Sequence, residues 1–377
     1  MSVPREPLWI VSEIFYPNQT STGYILTEIA DELVKYRDVR VICSEKNNDC
    51  QEKKEYIIIR TGVSFKSKSR SNLKKFFSSL LTTISIFLKV LVKCPTNAEI
   101  LTVTNPALLV PFWWLLIKIK KFKVTLIVHD VFPNNYLVLN KSRNRLYFFI
   151  EELYRFSYKS FYRLIVIGRD MELFLKKMTG HGNVVLIENW ADGSLIKGNG
   201  IEPKVITFQY AGNLGKLQNL DTIVKAFIWA ANPNLVLKIR GRGTEKEMLN
   251  NLVQKYSNIQ LLDSYNRDEE SNVLNDCTVG IVSLKKEMLG LGVPSKAYNI
   301  LSANKPILFF GNKLSEIGMV IDEFKIGWSI DSEDLLKLFF ANFDMASLNQ
   351  IEGEPRETVL AYYSKEKILL KYVELFI

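Results

Sequence analysis

Thirteen short apolar runs, each four to six residues long, recur along this chain with helix-period stretches between them. Seven fall in the first half, at Leu8–Val11, Val39–Cys43, Tyr56–Arg60, Ile100–Val103, Val124–Val128, Leu164–Ile167 and Val184–Ile187. Between the first two, Leu26, Ile29, Ala30 and Leu33 keep the i, i+3, i+4, i+7 spacing of a helix face. Further helices are predicted near 71–93, 107–120, 143–160 and 171–178. A polar, glycine-containing break, Glu188–Gly200, interrupts the pattern and reads as a linker. A second series then follows: Val205–Tyr210, Leu235–Ile239, Ile259–Leu262, Val279–Leu284, Ile307–Phe310 and Gly327–Ile330. Strands without polar alternation, separated by helices, are buried on both faces, which predicts an α/β chain of parallel, doubly wound sheets. The 377 residues exceed one ordinary core, so two Rossmann-like domains facing a cleft are expected. Their bounds are 1–190 and 201–355, with a closing helix, 356–377, crossing back to the first.

Hydrophobic residues at 47% against 24% charged exclude a disordered chain. The four cysteines, Cys43, Cys50, Cys94 and Cys277, show neither zinc-ligand nor disulfide-framework spacing, and no Asp-x-Asp pair exists to chelate a metal. No metal or other cofactor is expected. The N-terminus lacks the apolar core of a signal peptide, and no uninterrupted apolar run of membrane-spanning length appears, so a cytoplasmic chain is expected.

The net charge of +9 is concentrated between Tyr56 and His129, which hold twelve Lys/Arg and one acid, Glu99. Leu73, Phe76, Phe77, Leu80, Leu81, Ile84, Phe87, Leu88 and Leu91 share one face of a helix there, with Ser, Thr and Lys opposite. Such a helix either faces the core or rests on an anionic bilayer. The second reading makes Lys66, Lys68, Arg70, Lys74 and Lys75 headgroup contacts, with Trp113 and Trp114 at the interface. No nucleic-acid-binding motif accompanies the charge, so nucleic acid is not expected as a partner.

In open parallel sheets, ligands bind beyond the carboxyl ends of the strands. The residues predicted there are His129 and Asp130, the glycine turns Gly212-Asn213-Leu214-Gly215-Lys216 and Arg240-Gly241-Arg242, and the loop after Ser12, where Thr22 and Gly23 open a helix. The segment 290–311 adds a loop, Leu291-Gly292-Val293, then a helix start at Pro294 with Ser295 and Lys296, and a left-handed cap at Asn304. Free amides at a helix start attract phosphate, and Lys216, Arg242 and Lys296 supply cations for a diphosphate. His181 reads as a surface residue.

The stretches YAGNLGKLQNLDTIVKAF, KIRGRGTEKEML and GVPSKAYNILSANKPILFF, with IVHDVFP and IENWAD, resemble glycosyltransferase family 4, in the branch that builds capsule and O-antigen polysaccharides. The resemblance implies a GT-B fold, a nucleotide-sugar donor, retention of configuration, no essential metal, and a lipid-linked saccharide acceptor at the inner face of the membrane. It implies that Gly212, Asn213, Gly215, Lys216, Arg242, Ser295 and Lys296 hold the donor, and that His129, Asp130 and Lys216 serve the reaction. Thr22 and Gly23 would lie on the acceptor side. The family's Glu-x7-Glu pair falls on Leu291 and Asn299, so an amide stands where a donor-holding carboxylate is common. A nucleotide-sugar epimerase on the same fold and a non-catalytic binding subunit are the alternatives.

Overall fold

The computed structural model describes residues 6–18, 20–44, 54–62, 72–140, 144–198 and 205–377. In its first half lie β1 (Leu8–Ser12), α1 (Ser21–Leu33), β2 (Val39–Cys43), β3 (Ile57–Arg60), α2 (Asn72–Lys93), β4 (Glu99–Val103), α3 (Leu109–Lys120), β5 (Lys123–Val128), α4 (Asn134–Asn140), α5 (Arg145–Ser160), β6 (Arg163–Val166), α6 (Arg169–Thr179) and β7 (Val184–Leu186). The strands form one parallel sheet of seven, ordered β3-β2-β1-β4-β5-β6-β7. Every residue of β1 is buried, as its unbroken apolar sequence requires of a strand covered on both faces. The order reverses between β1 and β4, which leaves a crevice beyond their carboxyl ends.

The second half holds β8 (Ile206–Asn213), α7 (Leu220–Ala230), β9 (Leu235–Arg242), α8 (Lys246–Val253), β10 (Ile259–Leu262), α9 (Glu270–Asn275), β11 (Val279–Ser283), α10 (Lys296–Ser302), β12 (Ile307–Phe310), α11 (Glu316–Phe324), β13 (Gly327–Ile330), α12 (Glu333–Asn342), α13 (Pro355–Tyr362) and α14 (Lys365–Phe376). Its strands form a second parallel sheet, β10-β9-β8-β11-β12-β13, reversing between β8 and β11. Phe208, Phe227, Phe340 and Phe343 fill its core, with Phe208 meeting Phe343 edge-on at 4.9 Å.

Two expected turns are corrected. β8 and β9 run on through the glycines, pairing Gly212 with Gly241 and Asn213 with Arg242. Gly241 has a φ of +153°, and a Cβ there would lie 1.8 Å from the Gly212 carbonyl oxygen, so the residue must be glycine. The helix of the 290–311 segment starts at Lys296, after a turn in which the Ala297 amide bonds the Pro294 carbonyl at 3.3 Å. Asn304 is left-handed at φ +56°.

The halves are tied together in several places. α14 packs on α1, Lys365 reaches Asp192 at 2.7 Å, and the Ala191 amide donates to the Tyr363 carbonyl at 3.0 Å. At the start of α6, the backbone amide and guanidinium of Arg169 donate to Glu316 of α11, at 2.7 Å and 3.1 Å. The Glu316 side chain is only 2% exposed.

Candidate functional site

The tail of β5 crosses the cleft. The Val131 amide donates to the Leu291 carbonyl at 2.9 Å, and Asp130 forms a bridge with Gly292. A Cβ on Gly292 would stand 3.1 Å from the Asp130 carboxylate, so glycine lets that carboxylate lie against the loop. The amides of His129 and Asp130 point toward the Thr104 hydroxyl, at 3.2 and 3.4 Å. Asp130 is exposed by its surface yet sits in a concave, protein-lined mouth, and the surrounding protein raises its carboxyl to about 6. Burial pulls the His129 imidazole down to about 4, so it is neutral at pH 7.

In the second half, Lys296 is the hub. Its ammonium donates to the Ala211 carbonyl at 2.6 Å, and burial draws it down to about 8, with Glu270 opposing. A Cβ on Gly212 would fall 2.6 Å from that nitrogen, so a side chain there would make the lysine tip shift.

Two cavities meet here. One, about 210 Å³, runs from Asp130 past Gly292 and Ser283. The other, about 430 Å³, extends past Arg242 and Tyr265 to Glu270 and Asn299. Asn213, Ser295 and Lys296 line both, so one elongated channel passes from the β5 tail to Asn299 in the middle of α10. Its walls suit a long polar ligand with negative charge near its middle. Among the described residues no group of three His, Cys, Asp or Glu side chains converges to hold a metal.

Of the residues predicted for this site, Asp130, Gly212, Asn213, Arg242, Gly292, Val293, Pro294, Ser295, Lys296 and Asn299 all line the channel. Others do not. Because β8 extends through Asn213, the following turn carries Gly215 and an exposed Lys216 beyond the walls. Leu291 turns into a separate groove of about 330 Å³ with Leu137 and Phe174. His129 is not among the residues that line either cavity. Thr22 and Gly23 lie inside the first turn of α1, and Thr20 and Ser21 line the channel in their place.

Three channel residues have no local sequence signal: Tyr265, Arg267 and Glu270. The Arg267 guanidinium lies 3.3 Å from the centre of the Tyr24 ring on α1, a cation–π contact between the two halves. Asn299 donates to Glu270 at 3.0 Å.

A second candidate surface lies on the first sheet's outer layer. α2 turns Thr82, Thr83, Ile86 and Val90 inward and leaves Leu73, Phe76, Phe77, Leu81, Ile84 and Leu88 exposed. Much of the predicted apolar face therefore looks outward, with threonines toward the core. α2 packs on α3 and α3 on α5, where Leu146, Phe149, Leu153 and Phe156 form another exposed stripe. Trp113 corrects the expectation for that face: it is fully buried with Leu109, Val110 and Leu116, because it sits on the inner side of α3. Trp114 is half-buried, edge-on to Phe156 at 5.5 Å. Lys74 is exposed, whereas Lys66, Lys68, Arg70 and the side chain of Lys75 lie outside the described residues. Phe76–Lys93 also has the length and hydropathy to cross a bilayer. His181 is held in its loop, its ring nitrogen 2.8 Å from the Phe161 carbonyl.

No family model matches the chain. It is 31% identical to the probable glycosyltransferase WbjE of Pseudomonas aeruginosa, over 97% of this chain and 96% of that protein. Among solved structures it resembles sucrose-phosphate synthase of Thermosynechococcus elongatus, with a TM-score of 0.79, 15% identity, and coverage of 99% and 98% of the two chains. HepE of Anabaena, solved with UDP and glucose, superposes with a TM-score of 0.64 at 10% identity, covering 98% of each chain.

Proposed function

The chain belongs to the GT-B glycosyltransferases, and we propose that it moves a sugar from a nucleoside-diphosphate donor to a lipid-linked saccharide in bacterial surface polysaccharide synthesis. The observation that carries the reading is the position of Lys296, at the junction of the two cavities and against Gly212. A diphosphate at that junction puts the sugar beside Asp130 and the nucleoside toward Tyr265. The UDP and glucose bound by HepE are in keeping with a donor of this class.

The donor's anomeric carbon–oxygen bond breaks with its electron pair leaving on the diphosphate, whose charge Lys296 and Arg242 meet. The acceptor hydroxyl attacks on the face being vacated, and its proton passes to the departing phosphate oxygen, which retains configuration. These side chains supply the positive charge, so a metal has no required part. Asp130 holds hydroxyls of the transferred sugar, with neutral His129 as a hydrogen-bond donor.

The apolar face of α2, α3 and α5 rests on the cytoplasmic leaflet, with the surrounding lysines against anionic headgroups. Each such lysine is worth roughly 1 kcal/mol near the surface.

A thermal-shift panel of nucleotide sugars tests the donor. A sugar nucleotide at 100 times its dissociation constant stabilises the fold by about 2.7 kcal/mol. Stabilisation that is lost in Lys296→Ala is the expected result, and no stabilisation by any of them sinks the reading. Isomerisation of the bound donor without acceptor would instead indicate an epimerase.

A further inference from the structure

The wide end of the channel contains one carboxylate among cations. Of the acidic run Asp268-Glu269-Glu270, Glu269 is consumed in a capping box, where it accepts from the Asn266 amide at 2.8 Å. Asp268 points to solvent. Glu270, the first residue of α9, is half-buried in the channel wall, and Asn299 braces one of its oxygens at 3.0 Å. Asn299 is that carboxylate's one hydrogen-bond partner among the described residues.

Such a group repels phosphate, so it cannot belong to the diphosphate grip. It calls for O–H donors instead. Asn299 follows Lys296 by three residues on the same face of α10, a displacement of about 4.5 Å along the axis. Measured from a diphosphate on Lys296, the sugar lies toward Asp130 and the nucleoside lies the other way. The neighbouring hydroxyls at that distance on the nucleoside side are those of its ribose.

We infer that Glu270, braced by Asn299, binds the ribose 2′,3′-diol, so that the chain takes ribonucleoside diphosphate sugars and discriminates against 2′-deoxyribonucleoside (thymidine-type) ones. This rests on the donor reading above. A site built to accept a hydroxyl rejects a ligand lacking it because its own polar group is then left unpaired.

Calorimetric titration of the wild-type chain with UDP, CDP, GDP and ADP, each against its 2′-deoxy counterpart, is the test. The best ribonucleotide should bind at least tenfold more tightly than its deoxy form. Glu270→Ala and the near-isosteric Glu270→Gln should cut that ratio below threefold, while Lys296→Ala weakens both forms alike. A wild-type ratio under twofold, or an unchanged ratio in the Glu270 variants, overturns the inference and leaves the donor reading standing. Failure of every nucleotide to bind removes both.

Discussion

Lys296 donates to the Ala211 carbonyl at 2.6 Å, which parks its ammonium directly over Gly212 where a diphosphate would lie. Burial loosens that ammonium's hold on its proton, and a bound diphosphate tightens it again.

Donor affinity should therefore depend on pH in one direction. Burial sets the free ammonium at about 8, and a bound diphosphate favours its charged form. Affinity is then flat below pH 8 and falls by up to about tenfold per unit above it. Lys296→Arg keeps its charge and should flatten the profile in calorimetry. Lys296→Ala should bind at least tenfold more weakly at neutral pH, and Lys216→Ala, whose side chain stands outside the channel, much less so. Gly212→Ala should weaken donor binding less than Lys296→Ala does, since its methyl makes only the flexible lysine tip shift and leaves the charge in place.

Asp130 makes a stability prediction with its own sign. Its folded value of about 6 lies above the ordinary 3.8. Between those values the folded chain binds the extra proton, so stability falls as pH rises through that window. Asp130→Asn should thus be more stable than the parent at pH 7 and equal to it near pH 3.5 in denaturant titrations, yet slower in transfer at pH 7. Because Asp130 is exposed, solvent screening makes the stability gain much smaller than the shift alone implies. Equal stability at both pH values would contradict the burial argument.

The membrane face is tested away from the channel. Phe77→Asp on α2 and Phe149→Asp on α5 replace exposed apolar groups, so folding should be unharmed. Both should abolish sedimentation with vesicles of mixed phosphatidylcholine and phosphatidylglycerol. Neutralising Lys66, Lys68, Arg70, Lys74 and Lys75 should weaken it in a salt-dependent way. Retained binding in the Phe variants would assign that face to another partner.

Local pattern reveals what local physics controls. The run Val39–Cys43, apolar but for Arg40, appears as β2 with the same bounds, and the uniform burial of β1 follows from its sequence. The extension of β8 into Gly212 was hidden, because glycine signals a turn until a second glycine strand is laid beside it. Periodicity defined the α2 face but not its direction: a helix on a sheet buries one side, and spacing alone does not say which. Trp113 and Trp114 show the same limit, being adjacent in sequence yet differently placed around one helix. The amide at Asn299 was legible as a departure, but its partner Glu270 was not. Twenty-nine positions separate them, and only the fold brings them together.

The hydrogen bond from Val131 to Leu291 also bears on traffic through the enzyme. It is stitched next to Asp130, so the mouth of the channel cannot gape without breaking a backbone bond beside the sugar end. Arg169 and Glu316 oppose the same motion, since parting them would strand a deeply shielded acid. If spent nucleotide leaves by widening that mouth, its release requires these contacts to part. Turnover would then be paced by product escape, not by bond exchange, and would slow with solvent viscosity.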